Sequence, residues 1–264
     1  MEANCMWSSA EKRNSGNDER SGDTICRGAI FQTGRLTAEE SESIMKRNEG
    51  RNPFLPAYAR TPLALAAVVG LLAYYGSRLI AQGAMHHDFT LPVDGRIPFA
   101  PIFSIIYVLA YAQWGVGLLL IARESPETCR RVMAGEIISK LICMALFILV
   151  PTTMVRAEIA SGDVFSRITG FLYAIDAPDN LCPSIHGMDS WTCFRGAQRM
   201  ERVGKWYMRF SLVFTLLVFA STVLIKQHVI VDVFAGILVA EIGQYLSRKF
   251  PVYRIFERID ALLK

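Results

Sequence analysis

The sequence predicts an all-α, polytopic membrane protein, a six-transmembrane-helix bundle with an amphipathic interfacial helix in its third connection. Three observations predict this fold. From residue 62 onwards, apolar runs recur with about the 20 residues that a helix needs to cross a bilayer. Lysine and arginine concentrate in alternate connections between these runs, as expected for connections that stay in the cytoplasm. One long connection carries apolar residues at helical spacing.

Five apolar runs have the length of a membrane-spanning helix and are too long for strands. A sixth candidate, residues 186–202, is weaker because it contains Asp189, Arg195 and Arg199. Hydropathy alone would miss this sixth segment. The five clear runs cover residues 62–82, 101–121, 134–155, 206–225 and 229–247.

The distribution of basic residues indicates that residues 186–202 also cross. Lysine and arginine are frequent before the first run, after the second, after residues 186–202 and after the last run, and they are sparse elsewhere. Six crossings with both termini in the cytoplasm fit this pattern. Five crossings would put a basic tail or a basic loop on the extracytoplasmic side. They would also place His186 and His228 on opposite faces of the membrane. We therefore expect an integral protein of the cell membrane.

The chain divides into three predicted parts. Residues 1–50 are polar and lack apolar periodicity, so we expect a disordered N-terminal tail there. An alternative is that translation starts at Met45. Residues 51–250 are expected to form the six-helix membrane domain, and residues 251–264 a basic cytoplasmic tail.

The third connection, residues 156–185, is long. Apolar residues between Val164 and Ile175 recur within it at helical spacing, which predicts a short amphipathic helix at the membrane interface. Two interpretations of this helix stay open: a lid over a site, or simple packing.

Other charged residues inside the runs are predicted to be structural. Glu136 and Lys140 lie four residues apart, so they are expected to form an ion pair on one helix face. Asp189 and Arg195 are expected to face the interior of the bundle and to pair with polar neighbours there.

The composition argues against several functions. The formal net charge is only +4, and no basic block with interleaved aromatic residues occurs, so nucleic acid is not an expected partner. The six cysteines lack C-x-x-C spacing, which argues against a disulfide framework or a zinc site. His86 and His87 are adjacent, which is a poor spacing for metal ligands, and a solvated loop is favoured. No metal and no cofactor are therefore predicted.

Two of the four histidines carry the candidate chemistry. His186 and His228 lie where helices are predicted to begin at the extracytoplasmic face. Asp232 follows His228 by four residues, which on a helix lets the carboxylate hold the imidazole tautomer. Such an imidazole can attack phosphorus, while a second imidazole protonates the departing alkoxide and then activates water. The groups available to stabilise phosphoryl oxygens are Arg156, Ser184, Ser221 and Lys226, although Lys226 could instead extend to the interface.

Two motifs resemble those of a known family. Pro183-Ser-Ile-His186 resembles the Pro-Ser-x-His signature of the type 2 phosphatidic acid phosphatase superfamily, and Ser221-x6-His228-x3-Asp232 resembles its last signature in spacing. The resemblance implies a six-helix membrane core. It makes His228 the nucleophile, Asp232 its orienting partner and His186 the general acid. It also implies phosphate contacts for Ser184 and Ser221.

Several positions within the resembling region, roughly residues 60–250, depart from the family pattern. Arg156 takes the place of the arginine in the first signature, but Ala157 replaces its proline and Leu149 stands where a lysine is expected. Thr222 replaces the arginine of the last signature. Two expected phosphate cations are therefore missing. With these two cations missing, the motif pattern resembles that of the branch that includes inositol-phosphorylceramide synthases.

The resemblance implies a membrane-embedded, metal-independent phosphatase that acts on lipid phosphates through a phosphohistidine at the extracytoplasmic face. A phosphotransferase that moves a phosphorylated head group to a lipid alcohol would use the same residues. A non-enzymatic phospholipid-binding protein is the third possibility, and the missing cations favour it. Phosphatidate, prenyl diphosphate and sphingolipid head groups all fit as ligands.

Overall fold

The structure, a computed structural model, describes residues 54–159 and 162–262. The predicted N-terminal tail, residues 1–50, lies outside the described residues. The described chain is mostly helical. Its helices are α1 (Ala57–Ile80), α2 (Ser104–Glu124), α3 (Pro126–Leu149), α4 (Val164–Ile175), α5 (Ile185–Ala197), α6 (Lys205–Leu224), α7 (Ile230–Lys249) and α8 (Arg254–Leu262), and its two short parallel strands are β1 (His87–Asp88) and β2 (Thr152–Thr153).

Five of the described helices are long and apolar enough to cross a membrane. They are α1, α3, α6, α7, and α2 together with the 3₁₀ turn Pro101–Phe103 that precedes it. All five overlap the predicted apolar runs, so the prediction of an integral, helical membrane protein is confirmed. One of them, α1, continues through a π-helical turn at Leu72–Gly76.

The third run is placed differently from its prediction as residues 134–155. Helix α3 begins at Pro126, where the Ser125 hydroxyl caps it by accepting from the Thr128 N–H. It ends at Leu149, shortly before Pro151, which has no N–H to continue the helical ladder. The last six predicted residues are therefore not helical, and Arg156 lies in the connection beyond the helix.

The predicted helix of the third connection is present as α4. The Asp163 carboxylate caps its N-terminus by accepting from two backbone N–H groups. Its buried face carries Ser166, Thr169 and Leu172, whereas its exposed positions are apolar except for Arg167. This arrangement suits a helix whose outer face meets lipid.

Helix α5, the weak sixth candidate, lies at the centre of the bundle and packs against α2, α3, α6 and α7. It has 13 residues, fewer than the roughly 20 that a lone span needs. Nine of them are buried. Because α5 faces protein rather than lipid, polar side chains are tolerated: the Ser190 hydroxyl, for example, accepts from the Trp114 indole N–H at 2.9 Å. Hydropathy therefore underestimates this helix.

The helix ends define two ends of the bundle. At the first, called the histidine end, the N–H of Ala100 before α2 donates to the carbonyl of Leu224 at the end of α6, at 2.9 Å. At the opposite, terminal end, Glu124 at the end of α2 accepts from the Glu201 N–H just before α6. Helix α8 also lies at the terminal end, where Asp260 accepts from the Thr61 hydroxyl at 2.5 Å.

Most of the predicted C-terminal tail thus forms a packed helix. Arg130 near the start of α3 pairs with Glu257 of α8 at 2.8 Å. The two extremities of the described chain therefore meet at the terminal end of the bundle.

Close helix contacts position the candidate site. A Cβ atom on Gly236 of α7 would lie 2.5 Å from the carbonyl oxygen of Ser184, which is the N-cap of α5. A Cβ atom on Gly243, two turns further along α7, would lie 2.4 Å from the Gly135 carbonyl of α3. Both distances are too short for a side chain, so these glycines permit the approach of α7 to α5 and α3.

Candidate active site

His228 lies in a tight turn between α6 and α7. The chain reverses at Lys226, which has a φ of 52°. The N–H groups of Gln227 and His228 then both donate to the carbonyl of Thr222, at 2.9 and 3.1 Å. These bonds close the end of α6 and fix the backbone of His228 ahead of α7.

Asp232 lies beside the His228 imidazole. Its Oδ2 atom is 3.4 Å from Nδ1 of His228 and accepts from the Val229 N–H at 3.0 Å. Both side chains are buried, with 7% of His228 and 1% of Asp232 exposed. The predicted pair is present, but for a different reason. His228 lies before the first residue of α7, so it does not share a helix face with Asp232. The carboxylate approaches His228 because it accepts from the backbone N–H at the start of α7.

Ser184 joins the two histidine motifs. Its N–H donates to the Asp232 carbonyl at 2.9 Å, so the start of α5 is bonded to the start of α7. Its hydroxyl accepts from the Gly187 N–H at 3.2 Å and caps α5. The side chain is fully buried and has this structural duty, and its predicted phosphate contact stays a prediction.

Three aromatic side chains of α2 surround His186. The Tyr107 ring stacks on the imidazole with centroids 4.2 Å apart, and Trp114 lies at 5.0 Å. The Tyr107 hydroxyl is 3.5 Å from Nδ1 of His186, and the Tyr111 hydroxyl is 3.3 Å from Nε2. These contacts fix the imidazole plane and place a hydroxyl near each ring nitrogen.

The two imidazoles face each other across a cavity. Their ring centroids are 5.9 Å apart, although the residues come from different helix starts. Both line a cavity of about 470 Å³, whose wall also includes the apolar residues Leu71, Leu181 and Ile185. A ligand in this cavity can therefore contact both imidazoles.

Arg156 lies near the same end of the bundle. Its guanidinium donates to the carbonyls of Tyr173 and Asp176 and to Oε1 of Gln227, and it stacks 4.6 Å over the Tyr173 ring. Burial lowers the pKa of Arg156 from its ordinary value. A second cavity of about 350 Å³ reaches both Arg156 and His228.

Two further predicted phosphate ligands are engaged by the protein backbone. The Lys226 ammonium donates to the carbonyls of Asp94 and Ile97 at 2.9 and 2.7 Å, although Lys226 also lines the second cavity. The Ser221 hydroxyl donates to the Val218 carbonyl at 2.8 Å and is fully buried. Their phosphate contacts stay predictions, since both groups would have to give up these bonds.

A metal site can be sought among the residues that the structure describes. None of their histidine, cysteine, aspartate and glutamate side chains come together in threes to hold a metal ion. His87, part of the adjacent pair, is exposed on β1 and stacks on Phe89. The predicted absence of a metal and a cofactor stays a prediction.

Sequence reasoning missed the aromatic side chains around His186. Tyr107, Tyr111 and Trp114 recur at the i, i+4, i+7 spacing of one helix face, which is the signal that could have identified them. It also missed Asp94, whose Oδ1 accepts from the Ile230 N–H at 2.9 Å and so ties a distant loop to the start of α7.

Comparison with protein families gives one match. The model of the PAP2 superfamily matches residues 82–246, more than half of the chain. The matched range contains all seven predicted site residues and confirms the family resemblance seen in the two histidine motifs. The narrower likeness to inositol-phosphorylceramide synthases stays a prediction. A search of curated proteins and a search of solved structures each found no match.

Proposed function

This chain belongs to the PAP2 superfamily, and on that premise we propose that it is a metal-independent phosphatase of lipid phosphates that works through a phosphohistidine. Membership supports a phosphatase-type enzyme in a membrane. The lipid substrate, the histidine intermediate and the sidedness are what the proposal adds.

One observation carries the proposal: two imidazoles face each other across one cavity, 5.9 Å apart, in different environments. Nδ1 of His228 faces the Asp232 carboxylate, which leaves Nε2 as the nitrogen able to attack. His186 faces tyrosine hydroxyls and forms no ion pair with a carboxylate among the described residues. Different surroundings divide the pair into a nucleophile and an acid.

In the first step, Nε2 of His228 attacks phosphorus and forms a P–N bond. The ester P–O bond breaks, and its electron pair leaves with the alkoxide oxygen, which takes a proton from the imidazolium of His186. The Asp232 carboxylate stabilises the positive charge that develops on the His228 ring.

In the second step, the neutral His186 takes a proton from water, and the water oxygen attacks phosphorus. The P–N bond breaks and its electron pair returns to His228. Inorganic phosphate leaves, and both histidines regain their starting protonation states. The positive end of the α5 dipole, which begins beside His186, favours the phosphoryl oxygens in both steps.

The chain directions support six crossings. Helix α5 begins at the histidine end, because Ser184 is bonded to Asp232, whereas α6 begins at the terminal end near Glu124. The chain from Ser184 to Lys205 therefore returns from one end to the other, as a spanning segment must. Both extremities of the described chain then lie on one side, which the basic loops assign to the cytoplasm.

The histidine end is accordingly proposed to face the outside of the cell membrane. Helix α4, with its exposed Val164, Phe171 and Ile175, is proposed to lie at that interface beside the cavity. Residues 1–50 and 251–264 flank the membrane domain on the cytoplasmic side in this proposal.

Phosphate release by the purified protein in detergent tests the enzyme proposal. The panel is phosphatidate, a sphingoid phosphate and a prenyl diphosphate, and wild type is expected to release phosphate from at least one of them. His228→Ala removes the nucleophile, so its rate should fall by about a thousandfold or more. His87→Ala is the matched control, because this histidine is exposed on β1, and it should keep the wild-type rate. Equal, slow release by wild type and His228→Ala would favour a lipid-binding protein instead.

Transfer to a lipid alcohol is the second candidate function. The apolar wall of the main cavity, which includes Leu71, Ile175 and Leu181, favours it because a lipid acceptor could approach the histidines there. The same two steps apply, with the alcohol oxygen in place of water. When a lipid alcohol is supplied, a transferase should attach the phosphorylated head group to that alcohol at the expense of the hydrolysis product, and a hydrolase should not.

A further inference from the structure

A cluster of buried charges lines or adjoins the main cavity below the histidines. Lys140 of α3 and Asp189 of α5 both line this cavity, and Glu136 lies behind them with no exposed surface. The Lys140 ammonium is 2.9 Å from Oε1 of Glu136 and 3.8 Å from Oδ2 of Asp189. The predicted Glu136–Lys140 pair is therefore present, but it belongs to a triad that also contains Asp189.

Asp189 is the carboxyl group of this triad that lies farther from the Lys140 ammonium. Its distance of 3.8 Å to Lys140 is longer than a hydrogen bond, whereas Glu136 is within hydrogen-bonding distance of the same ammonium. The carboxyl groups of Asp189 and Glu136 also interact with each other, and Oδ1 of Asp189, like Oε2 of Glu136, is buried without an N–H or O–H donor among the residues that the structure describes. Only 9% of the Asp189 surface is exposed.

This arrangement of buried polar groups is unfavourable unless a ligand supplies a hydrogen-bond donor. Two buried carboxyl groups share one ammonium, and even with a proton shared between Asp189 and Glu136 a buried carboxyl oxygen without a donor costs free energy. A hydroxyl or amide N–H that enters the cavity would donate to the free oxygen of Asp189. A hydroxyl oxygen or an amide carbonyl could also accept from Lys140, so either ligand group would satisfy both residues.

The position of Asp189 relative to His186 defines where such a group lies. Asp189 follows His186 by three residues on α5, so it lies about one turn, or roughly 5 Å, deeper in the bundle. A lipid whose phosphate lies between the histidines would extend its backbone past this level. A hydrogen-bond donor one or two carbons beyond the phosphorylated carbon would reach Asp189. A hydrocarbon chain has no such donor.

We infer that Asp189 and Lys140 select lipid phosphates that carry a hydroxyl or amide donor next to the phosphorylated carbon, over isoprenoid or alkyl phosphates. This inference rests on the proposed function, since it uses the histidines to place the phosphate. It narrows the possible substrates to lipids with a hydrogen-bonding backbone. Asp189 is the specificity-determining residue, and Lys140 positions its carboxylate.

Two matched lipids test the inference: hexadecyl phosphate and 2-hydroxyhexadecyl phosphate, which differ by one hydroxyl. Wild type should show kcat/KM at least about tenfold higher for the hydroxylated lipid, because a site built to bond a hydroxyl rejects the analogue without it. In Asp189→Asn this ratio should fall to within about twofold of one, since an amide oxygen is a weaker acceptor than a carboxylate. The ratio does not depend on how much of each preparation is folded.

Glu241→Gln is the control variant, because Glu241 forms a comparable ion pair with Arg195 at 2.8 Å but does not line the main cavity. Its ratio should match that of wild type. A wild-type ratio near one, or an Asp189→Asn ratio equal to that of wild type, would overturn the inference.

Binding of both lipids to His228→Ala separates the inference from the proposed function. This variant cannot turn the lipids over, so its two dissociation constants report recognition alone. A preference of at least about tenfold in binding, without phosphate release by wild type, would keep the inference and overturn the enzyme proposal. Phosphate release without a preference would overturn the inference and keep the enzyme proposal. The absence of both would overturn both.

Discussion

At the scale of single residues, Asp232 serves both a helix and a histidine. One oxygen accepts from the Val229 N–H, and the same oxygen lies 3.4 Å from Nδ1 of His228. The helix cap thus fixes the carboxylate before any substrate binds. Asp94 is a buried residue of another loop. Its carboxylate accepts from the Ile230 N–H and so anchors the same turn.

Asp232→Asn should separate these two duties. The amide oxygen of asparagine can accept from the Val229 N–H as the carboxylate does, so the fold should persist. An asparagine amide that donates to Nδ1 would leave the proton on Nε2 and block the attacking nitrogen, so kcat should fall by about 10²- to 10⁴-fold. Phosphate release measured alongside thermal unfolding checks this expectation.

Asp163→Asn is the control for the capping role, because the Asp163 carboxylate is the N-cap of α4 and also accepts from backbone N–H groups at a helix start. Its rate of phosphate release should stay within about twofold of wild type, because asparagine is about as good an N-cap as aspartate. If Asp232→Asn were as active as this control, Asp232 would be a structural cap and not a partner of the nucleophile.

The sequence predicted the His228–Asp232 contact because these residues are four positions apart, and it predicted His186 from a motif at a helix start. It did not predict the side-chain directions of Arg156 and Lys226, which depend on carbonyls brought by distant segments. Lys226 bonds residues 94 and 97, and Arg156 bonds residues 173 and 176. No local pattern encodes such tertiary partners.

At the scale of elements, the site depends on the contact between α5 and α7. The backbone of Ser184 packs against Gly236, and the Ser184 N–H bonds the Asp232 carbonyl. This contact holds the two helix starts, and therefore the two imidazoles, at their separation. The α5–α7 contact is in this sense part of the site.

Gly236→Ala should move the two helices apart. The added Cβ would meet a backbone carbonyl at 2.5 Å, which cannot turn away as a side chain would. We expect a loss of about 1–3 kcal/mol of stability and a marked fall in phosphate release. Thermal unfolding in detergent and the release assay measure the two effects.

Gly115→Ala in α2 is the matched control, because a Cβ there would meet nothing within 4 Å. Alanine is also the better helix former, so this variant should be as stable as wild type or slightly more stable. A Gly236→Ala protein with wild-type stability and turnover would contradict the role of the α5–α7 contact.

Apolar length predicted the five lipid-facing helices, but it predicted their ends less well. The start of α3 at Pro126 and its end at Leu149 follow from a serine cap and a nearby proline. Helix α5 was weak in hydropathy because its neighbours, not lipid, cover most of its surface. Polar residues are tolerated in such a helix because neighbouring helices bury them.

At the scale of the whole molecule, the bundle has one end with the histidines and another with both extremities of the described chain. Helix α8 bonds α1 and the start of α3 at the terminal end through Asp260 and Glu257. The basic loops predicted this polarity. The partner contacts of α8 were not predictable, because they join residues that lie 127 and 199 positions apart.

Opposite sidedness of the two ends is the prediction at this scale. A reporter fused after Lys264 should remain cytoplasmic. A cysteine in place of His87, which is exposed near the histidine end on the strand paired with Thr152, should react with an impermeant thiol reagent from outside. Intact cells that carry the wild-type chain provide the background for the native cysteines. A reporter found outside would contradict six crossings and the shared extracytoplasmic site.

The central claim is that His228 accepts the phosphoryl group. Rapid quenching with a lipid phosphate labelled on phosphorus, followed by peptide mapping, tests it most directly. We predict a base-stable, acid-labile label on His228 in wild type and no label in His228→Ala. Phosphate release without any label, or a label that persists in His228→Ala, would contradict the account.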